Sequence, residues 1–133
     1  MEEVNKIRFI CDVDFLKSPH CIHLSESEKQ EIISDYAEKT SLVVGAVMSD
    51  CTLFVAVYDL TPRSLHVRHV VGNFGRYYRE LDKFSLGLAA MCGYGSVSFC
   101  SKRRAITEKW ARHAGYDRLP EIESQFEFVK RAM

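Results

Sequence analysis

The sequence predicts a mixed α/β fold: a mostly antiparallel sheet with one central parallel pair and helices on both faces. Three features predict it. Two β-branched apolar runs are joined by only two polar residues, an apolar stripe at helical spacing covers 77–91, and strand-like runs stand on both sides of that stripe. A strand, a helix and a second strand in succession form a crossover, which makes those two strands parallel. The order along the chain is β-α-β-β-β-α-β-α-β, with no internal repeat. Each sheet face must be covered, so a helix is expected on each side.

Residues 6–14 alternate Ile7, Phe9, Cys11 and Val13 against Arg8, Ile10, Asp12 and Asp14, the period of a strand. Ser18-Pro19-His20 breaks it. Ser25-x-x-Glu28 is a capping box that opens an acidic helix, with Ile32, Ile33, Tyr36 and Ala37 on one face and an end near Lys39. Runs 42–48 and 52–58 form a hairpin around Ser49-Asp50, and a turn cluster at 60–64 leads to a third adjacent strand, 65–71. Gly72-Asn73-Phe74-Gly75 ends that strand. Tyr77, Leu81, Phe84, Leu88 and Met91 follow as an amphipathic helix, which Gly93 and Gly95 stop. Residues 96–100 are a short strand of buried type. A further helix covers 104–114 ahead of Gly115, with Trp110 anchoring it to the sheet. Ile122, Phe126 and Phe128 alternate with Glu121, Glu123, Gln125 and Glu127 as a closing strand.

An apolar content of 47% and a charged content of 27%, with seven Gly and three Pro, exclude disordered, collagen-like and low-complexity chains. The longest apolar run, 42–48, falls far short of the roughly 20 residues that span a bilayer. The polar, acidic start has no apolar signal region behind it, so a cytoplasmic protein is expected. Five cysteines, at 11, 21, 51, 92 and 100, form no C-x-x-C pair and read as reduced thiols, with Cys51, Cys92 and Cys100 as small core residues.

Formal charge is zero but unevenly spread: residues 1–60 carry five basic and eleven acidic side chains, and residues 61–133 carry thirteen and seven. An anionic ligand is therefore expected at the C-terminal half, while the neutral total argues against a general nucleic-acid binder. Pro19-His20-Cys21-Ile22-His23 offers two or three soft ligands. A tetrahedral structural site needs four, usually from two clusters, so no metal is expected.

The stretch Cys100-Ser-Lys-Arg-Arg-Ala-Ile-Thr-Glu-Lys-Trp-Ala-Arg-His-Ala-Gly-Tyr-Asp-Arg-Leu closes a helix with the Gly115-Tyr116 step. It resembles the segment after the fifth strand in the GNAT superfamily of acyl-CoA-dependent N-acetyltransferases, and the element order is similar over nearly the whole chain. The compact size, with Arg104, Trp110 and Gly115-Tyr116, looks most like small members encoded by tailed bacteriophages, some of them virion or ejection-associated proteins. The resemblance implies one GNAT-like domain over 1–133, acetyl-CoA as cofactor and an amine as acceptor. It implies that the fourth and fifth strands part to hold the pantetheine. It implies that Val71, Gly72, Asn73, Gly75 and Arg76 bind the CoA pyrophosphate where a strand turns into a helix, since a helix start offers unpaired N–H groups and partial positive charge.

Departures from the family pattern are specific. The family turn reads Arg/Gln-x-x-Gly-x-Gly/Ala, whereas Gly72-Asn73-Phe74-Gly75-Arg76-Tyr77 is shorter, with bulky Tyr77 and Tyr78 in place of small residues. The family's acid, a Tyr four residues before the Gly of the Gly-aromatic step, is Ala111 in this chain. For a base, Asp59 is the only carboxylate along 52–71. His66 and His69, three apart, lie on opposite faces of their strand. An imidazole that titrates near neutrality removes a proton from an ammonium, so His69 and Asp59 are the catalytic candidates.

Lys102-Arg103-Arg104 precede a helix start whose dipole they oppose, which favours an anion there, either a cofactor phosphate or an acidic partner surface. Arg76 and Arg79 open the preceding helix in the same way. Two functions stay open: an acetyl-CoA-dependent N-acetyltransferase with degenerate motifs, and a non-catalytic phage virion or interaction protein that meets its partner through Lys102, Arg103 and Arg104.

Overall fold

The computed structural model describes residues 6–101, 117–118 and 126–131. The elements are β1 (Arg8–Cys11), two 3₁₀ turns (Val13–Lys17 and Pro19–His23), α1 (Glu26–Ala37), β2 (Ser41–Met48), β3 (Cys51–Leu60), β4 (Leu65–Gly72), α2 (Tyr78–Met91), β5 (Ser96–Ser101), β6 (Asp117–Arg118) and β7 (Phe126–Arg131). Hydrogen-bonded neighbours follow the order β1-β2-β3-β4-β5-β7-β6. β4 and β5 are parallel, as their strand-helix-strand succession predicts. The expected helix over 104–114, with Trp110 and Ala111, the Lys102-Arg103-Arg104 cluster and the Gly115-Tyr116 step lie outside the described residues. Two compact units form: residues 1–60 with 69–74, and residues 61–68 with 75–133.

The first unit is built on the β2–β3 hairpin. β2 is buried along most of its length, which is why its sequence is apolar without alternation. Ser49 and Asp50 have φ of 50° and 66°, the left-handed pair of a two-residue turn whose twist matches the strands. The register then slips once. Ala46 faces Phe54 but Val47 faces Thr52, so Leu53 is the extra residue of a bulge in β3. On one face Val43, Val55 and Val57 pack with Leu16, Cys21, Leu24 and Ile32. Gly45 lies against Phe15, whose ring a Cβ at that position would strike. Ala46, paired with both Phe9 and Phe54, leaves room for those two rings to meet edge-on at 6.1 Å.

β1 ends at Cys11, three residues earlier than the alternation predicts. Asp12 is the reason: its Oδ1 accepts the Asp14 N–H at 2.9 Å and starts a 3₁₀ turn. Ser18 repeats the device, accepting the His20 N–H at 3.3 Å with Pro19 in the first position. Short polar side chains compete for backbone donors in this way, and period-two patterning does not register it. Ser25 caps α1 as expected, its Oγ accepting the Glu28 N–H at 3.1 Å. Lys39, at φ 64°, closes α1 with bonds from Thr40 N–H to the Asp35 carbonyl and from Lys39 N–H to the Tyr36 carbonyl. Of the expected apolar face only Ile32 is fully buried, and Ile33 stays exposed.

In the second unit, Leu65, His66 and Val67 of β4 pair with Val97, Ser98 and Phe99 of β5. β5 is antiparallel to β7, and β7 to β6, a two-residue strand too short for any pattern to mark. α2 buries Leu81, Ser85 and Ala89, a face rotated from the expected stripe, and leaves Met91 exposed. Small residues allow a close approach there. Ser85 tolerates burial because its Oγ donates to the Leu81 carbonyl at 2.7 Å. Gly93, at φ 81°, ends the helix, with Tyr94 N–H bonded to the Ala89 carbonyl at 2.8 Å.

The cysteines differ from expectation. Cys51 and Cys92 are exposed, as is Cys11, because they sit at element ends; Cys21 is buried. The Gly45–Phe15 contact makes one test direct. Gly45→Ala is expected to cost about 2 kcal/mol through overpacking, read as a lowered urea midpoint. Adding Phe15→Leu should restore at least half of the loss, and strictly additive effects would refute the contact.

Candidate functional site

The end of β4 is seated on the β3 bulge. Asn73 N–H, just past β4, donates to the Leu53 carbonyl near the start of β3 at 3.0 Å. Gly72 has φ of 110°, a conformation costly for any other residue. A Cβ there would stand 2.8 Å from the Leu53 carbonyl oxygen and from Phe54 Cα, and 3.1 Å from His20 Nδ1. Gly72 is therefore required by its contact with β3. His20 reaches the same place from the second 3₁₀ turn, its Nε2 lying 2.8 Å from the Thr52 carbonyl oxygen.

Of the catalytic candidates, His69 lies with its Nε2 3.5 Å from Glu28 Oε2, the imidazole 30% exposed and Glu28 46%. Val71, two residues on and on the same face, packs against the core of the first unit. Glu28 thus serves α1 through its backbone N–H and His69 through its carboxylate. Asp59 accepts from Ser41 Oγ at 2.7 Å across the Ser41–Asp59 register pair. It stands six residues along β3 from Leu53, about 20 Å at strand rise, so Asp59 and Gly72 are not brought together. In the second unit, His66 Nδ1 lies 2.9 Å from Ser98 Oγ, which is 2.7 Å from Ser64 Oγ. That buried network ties β4 to β5.

The start of α2 has a different chemistry. Tyr77 occupies the N-cap without a side-chain capping bond, and the helical ladder begins with Leu81 N–H on the Tyr77 carbonyl at 3.0 Å. Residues 78–80 form the first turn, at the positive end of the helix dipole. The Arg76 guanidinium lies 5.6 Å over the Tyr77 ring and that of Arg79 5.8 Å over Tyr78. Arg79 Nε also donates to Tyr78 Oη at 3.3 Å, which holds its guanidinium above its ordinary pKa. Among the described residues, and its two chain neighbours aside, nothing lies within 4 Å of where a Cβ at Gly75 would stand. Glu80 is the one acidic residue of the first turn. Arg76, Arg79 and the helix dipole put positive charge at residues 75–80, whereas the Asn73 N–H is already bonded to Leu53.

No family model matches the sequence, and no curated protein does. Solved structures match over almost the whole chain. An acetyltransferase assigned to the GNAT family from Desulfovibrio desulfuricans superposes with a TM-score of 0.72 at 14% identity, covering 96% of this chain and 100% of its own. The PaiA N-acetyltransferase of Thermoplasma acidophilum, in complex with coenzyme A, gives 0.68 at 10% identity over 95% and 99%. A spermidine N-acetyltransferase of Vibrio cholerae gives 0.75 at 6% identity over 95% and 94%. The chain has the GNAT acetyltransferase fold. At these identities the GNAT likeness rests on topology, with the parallel β4–β5 pair and the α2 crossover at its centre.

Sequence reasoning missed His20, Thr52 and Leu53 as neighbours of Gly72, and Glu28 as the partner of His69. In the sequence His20, Cys21 and His23 stand together as two or three soft metal ligands. Among the described residues no group of three or more His, Cys, Asp or Glu is arranged to hold a metal. Cys21 is fully buried, with Sγ 3.5 Å from the Phe15 carbonyl oxygen. Burial pushes its thiol above the ordinary 9.0, and Lys29 pulls it part of the way back. The unfolded thiol therefore ionises first as pH rises past 9, so this stability is present below that pH and lost above it. Wild-type stability should fall more steeply above pH 9 than that of Cys21→Ala. Maleimide should modify Cys11, Cys51 and Cys92 before Cys21 in peptide mass maps.

Proposed function

We propose that the chain is a single-domain N-acetyltransferase that takes acetyl-CoA as donor and an amine as acceptor. The observation that carries this reading is the uncapped, arginine-flanked start of α2, directly after β4, in a fold whose solved examples include complexes with coenzyme A. Gly75, Arg76 and the first turn of α2 would hold the pyrophosphate, with Val71, Gly72 and Asn73 setting where that turn begins. When bound, the coenzyme supplies an activated acetyl group as a thioester.

His69 is the proposed base. Its neutral imidazole accepts a proton from the acceptor ammonium, and the Glu28 carboxylate steadies the imidazolium that forms. With the amine freed, its nitrogen would bond the acetyl carbon as the carbon–sulfur bond breaks, and the proton that the nitrogen then sheds would go to the departing thiolate. Asp59, bonded to Ser41, ties β2 to β3 in this reading.

A second reading, a non-catalytic phage virion or interaction protein on the same fold, is favoured by Ala111, where the family's acid would be a Tyr. It would engage its partner through Lys102, Arg103 and Arg104. Calorimetry with acetyl-CoA, followed by thiol release over mixed amines, separates the two. The enzyme reading expects micromolar binding weakened about tenfold by Arg76→Glu, the loss of one charge-assisted contact. It expects thiol release reduced about a hundredfold by His69→Ala and little changed by Asp59→Asn. Binding weaker than millimolar with no thiol release would remove it.

A further inference from the structure

We infer that His20 is a positioning residue: by holding the Thr52 carbonyl it fixes the β3 bulge on which Gly72 and Asn73, the exit of β4, are seated. The hydrogen bond, at 2.8 Å, joins residues 32 apart in sequence. A carbonyl only accepts, so Nε2 must carry the hydrogen, and in the neutral ring Nδ1 keeps its lone pair. That second nitrogen faces Gly72, 3.1 Å from where a Cβ would be. The ring thus spans the bulge on one side and the end of β4 on the other.

His20 is itself held firmly. Its backbone N–H is taken by Ser18 Oγ, Pro19 fixes the preceding backbone, and the next residue, Cys21, is fully buried. The bulge needs such a support. Where two residues of β3 oppose one of β2, the ladder no longer determines the direction of the local carbonyls. Thr52 and Leu53 are those residues; the first carbonyl is held by His20 and the second by Asn73 N–H. The first carbonyl lies in the planar peptide unit that joins Thr52 to Leu53, so its movement displaces Leu53 and reaches the second carbonyl across the φ and ψ of that one residue. The brace therefore acts on the point where the proposed coenzyme turn begins, and this functional arm rests on the acetyltransferase reading.

The test compares His20→Phe, which keeps a ring but loses the donor, with His20→Gln, which keeps an N–H of similar reach. Amide exchange by NMR should quicken about fivefold at Asn73 in His20→Phe, the scale of one net hydrogen bond. Val43 and Val57 should keep wild-type exchange, and His20→Gln should restore Asn73. Coenzyme A affinity, measured by calorimetry, should drop by a similar factor in His20→Phe and recover in His20→Gln. Unchanged Asn73 exchange in His20→Phe, or an equal rise at Val43 and Val57, would overturn the proposal. If the wild type binds no coenzyme A, the acetyltransferase reading fails, and Asn73 exchange alone decides whether His20 braces the strand end.

Discussion

The carbonyl groups of Thr52 and Leu53 are the constraint around which the first unit is arranged. A register slip in a paired strand leaves backbone acceptors whose directions the ladder does not dictate, and where they are partly shielded from water they still seek donors. One is met by an imidazole from a turn before α1, the other by the first amide past β4. The slip therefore recruits a distant loop and fixes where β4 stops. Gly72 follows from the same crowding, since no side chain fits between β4 and the bulge.

Charge and dipole do complementary work at the next step of the chain. A helix start carries the positive end of the dipole, and cations beside it would be unfavourable without an anion. Arg76 and Arg79 rest on tyrosine rings, which accept the guanidinium faces and hold them near the helix start. Tyr77 and Tyr78, which read from sequence as obstacles to phosphate, thus have a second physical role as platforms for the two arginines.

The fold was largely legible because its strongest signals are local and periodic. The hairpin at Ser49-Asp50, the cap at Ser25, the Gly93 stop and the parallel β4–β5 pair all follow from spacing and turn chemistry. Three things were not legible, each for a physical reason. β1 is cut short by Asp12, whose side chain competes for a backbone donor that alternation ignores. The buried face of α2 is set by small residues, Ser85 and Ala89, which hydrophobic spacing undervalues. The neighbours of Gly72 and His69 lie 18 to 52 residues away in sequence, and a lone histidine or glutamate carries no mark of such a partner. The candidate residues along β4 and its turn were therefore visible as a local pattern, but the residues that support them were not.

The ring of Phe15 fills the place where β2 has no side chain at Gly45, so the two positions share one volume. Evolutionary drift at either site alone meets a barrier: a larger residue in the strand has nowhere to go, and a smaller one in the turn opens a hole in the core. Diverged relatives that keep this geometry should change the two sites in concert, trading bulk from one to the other.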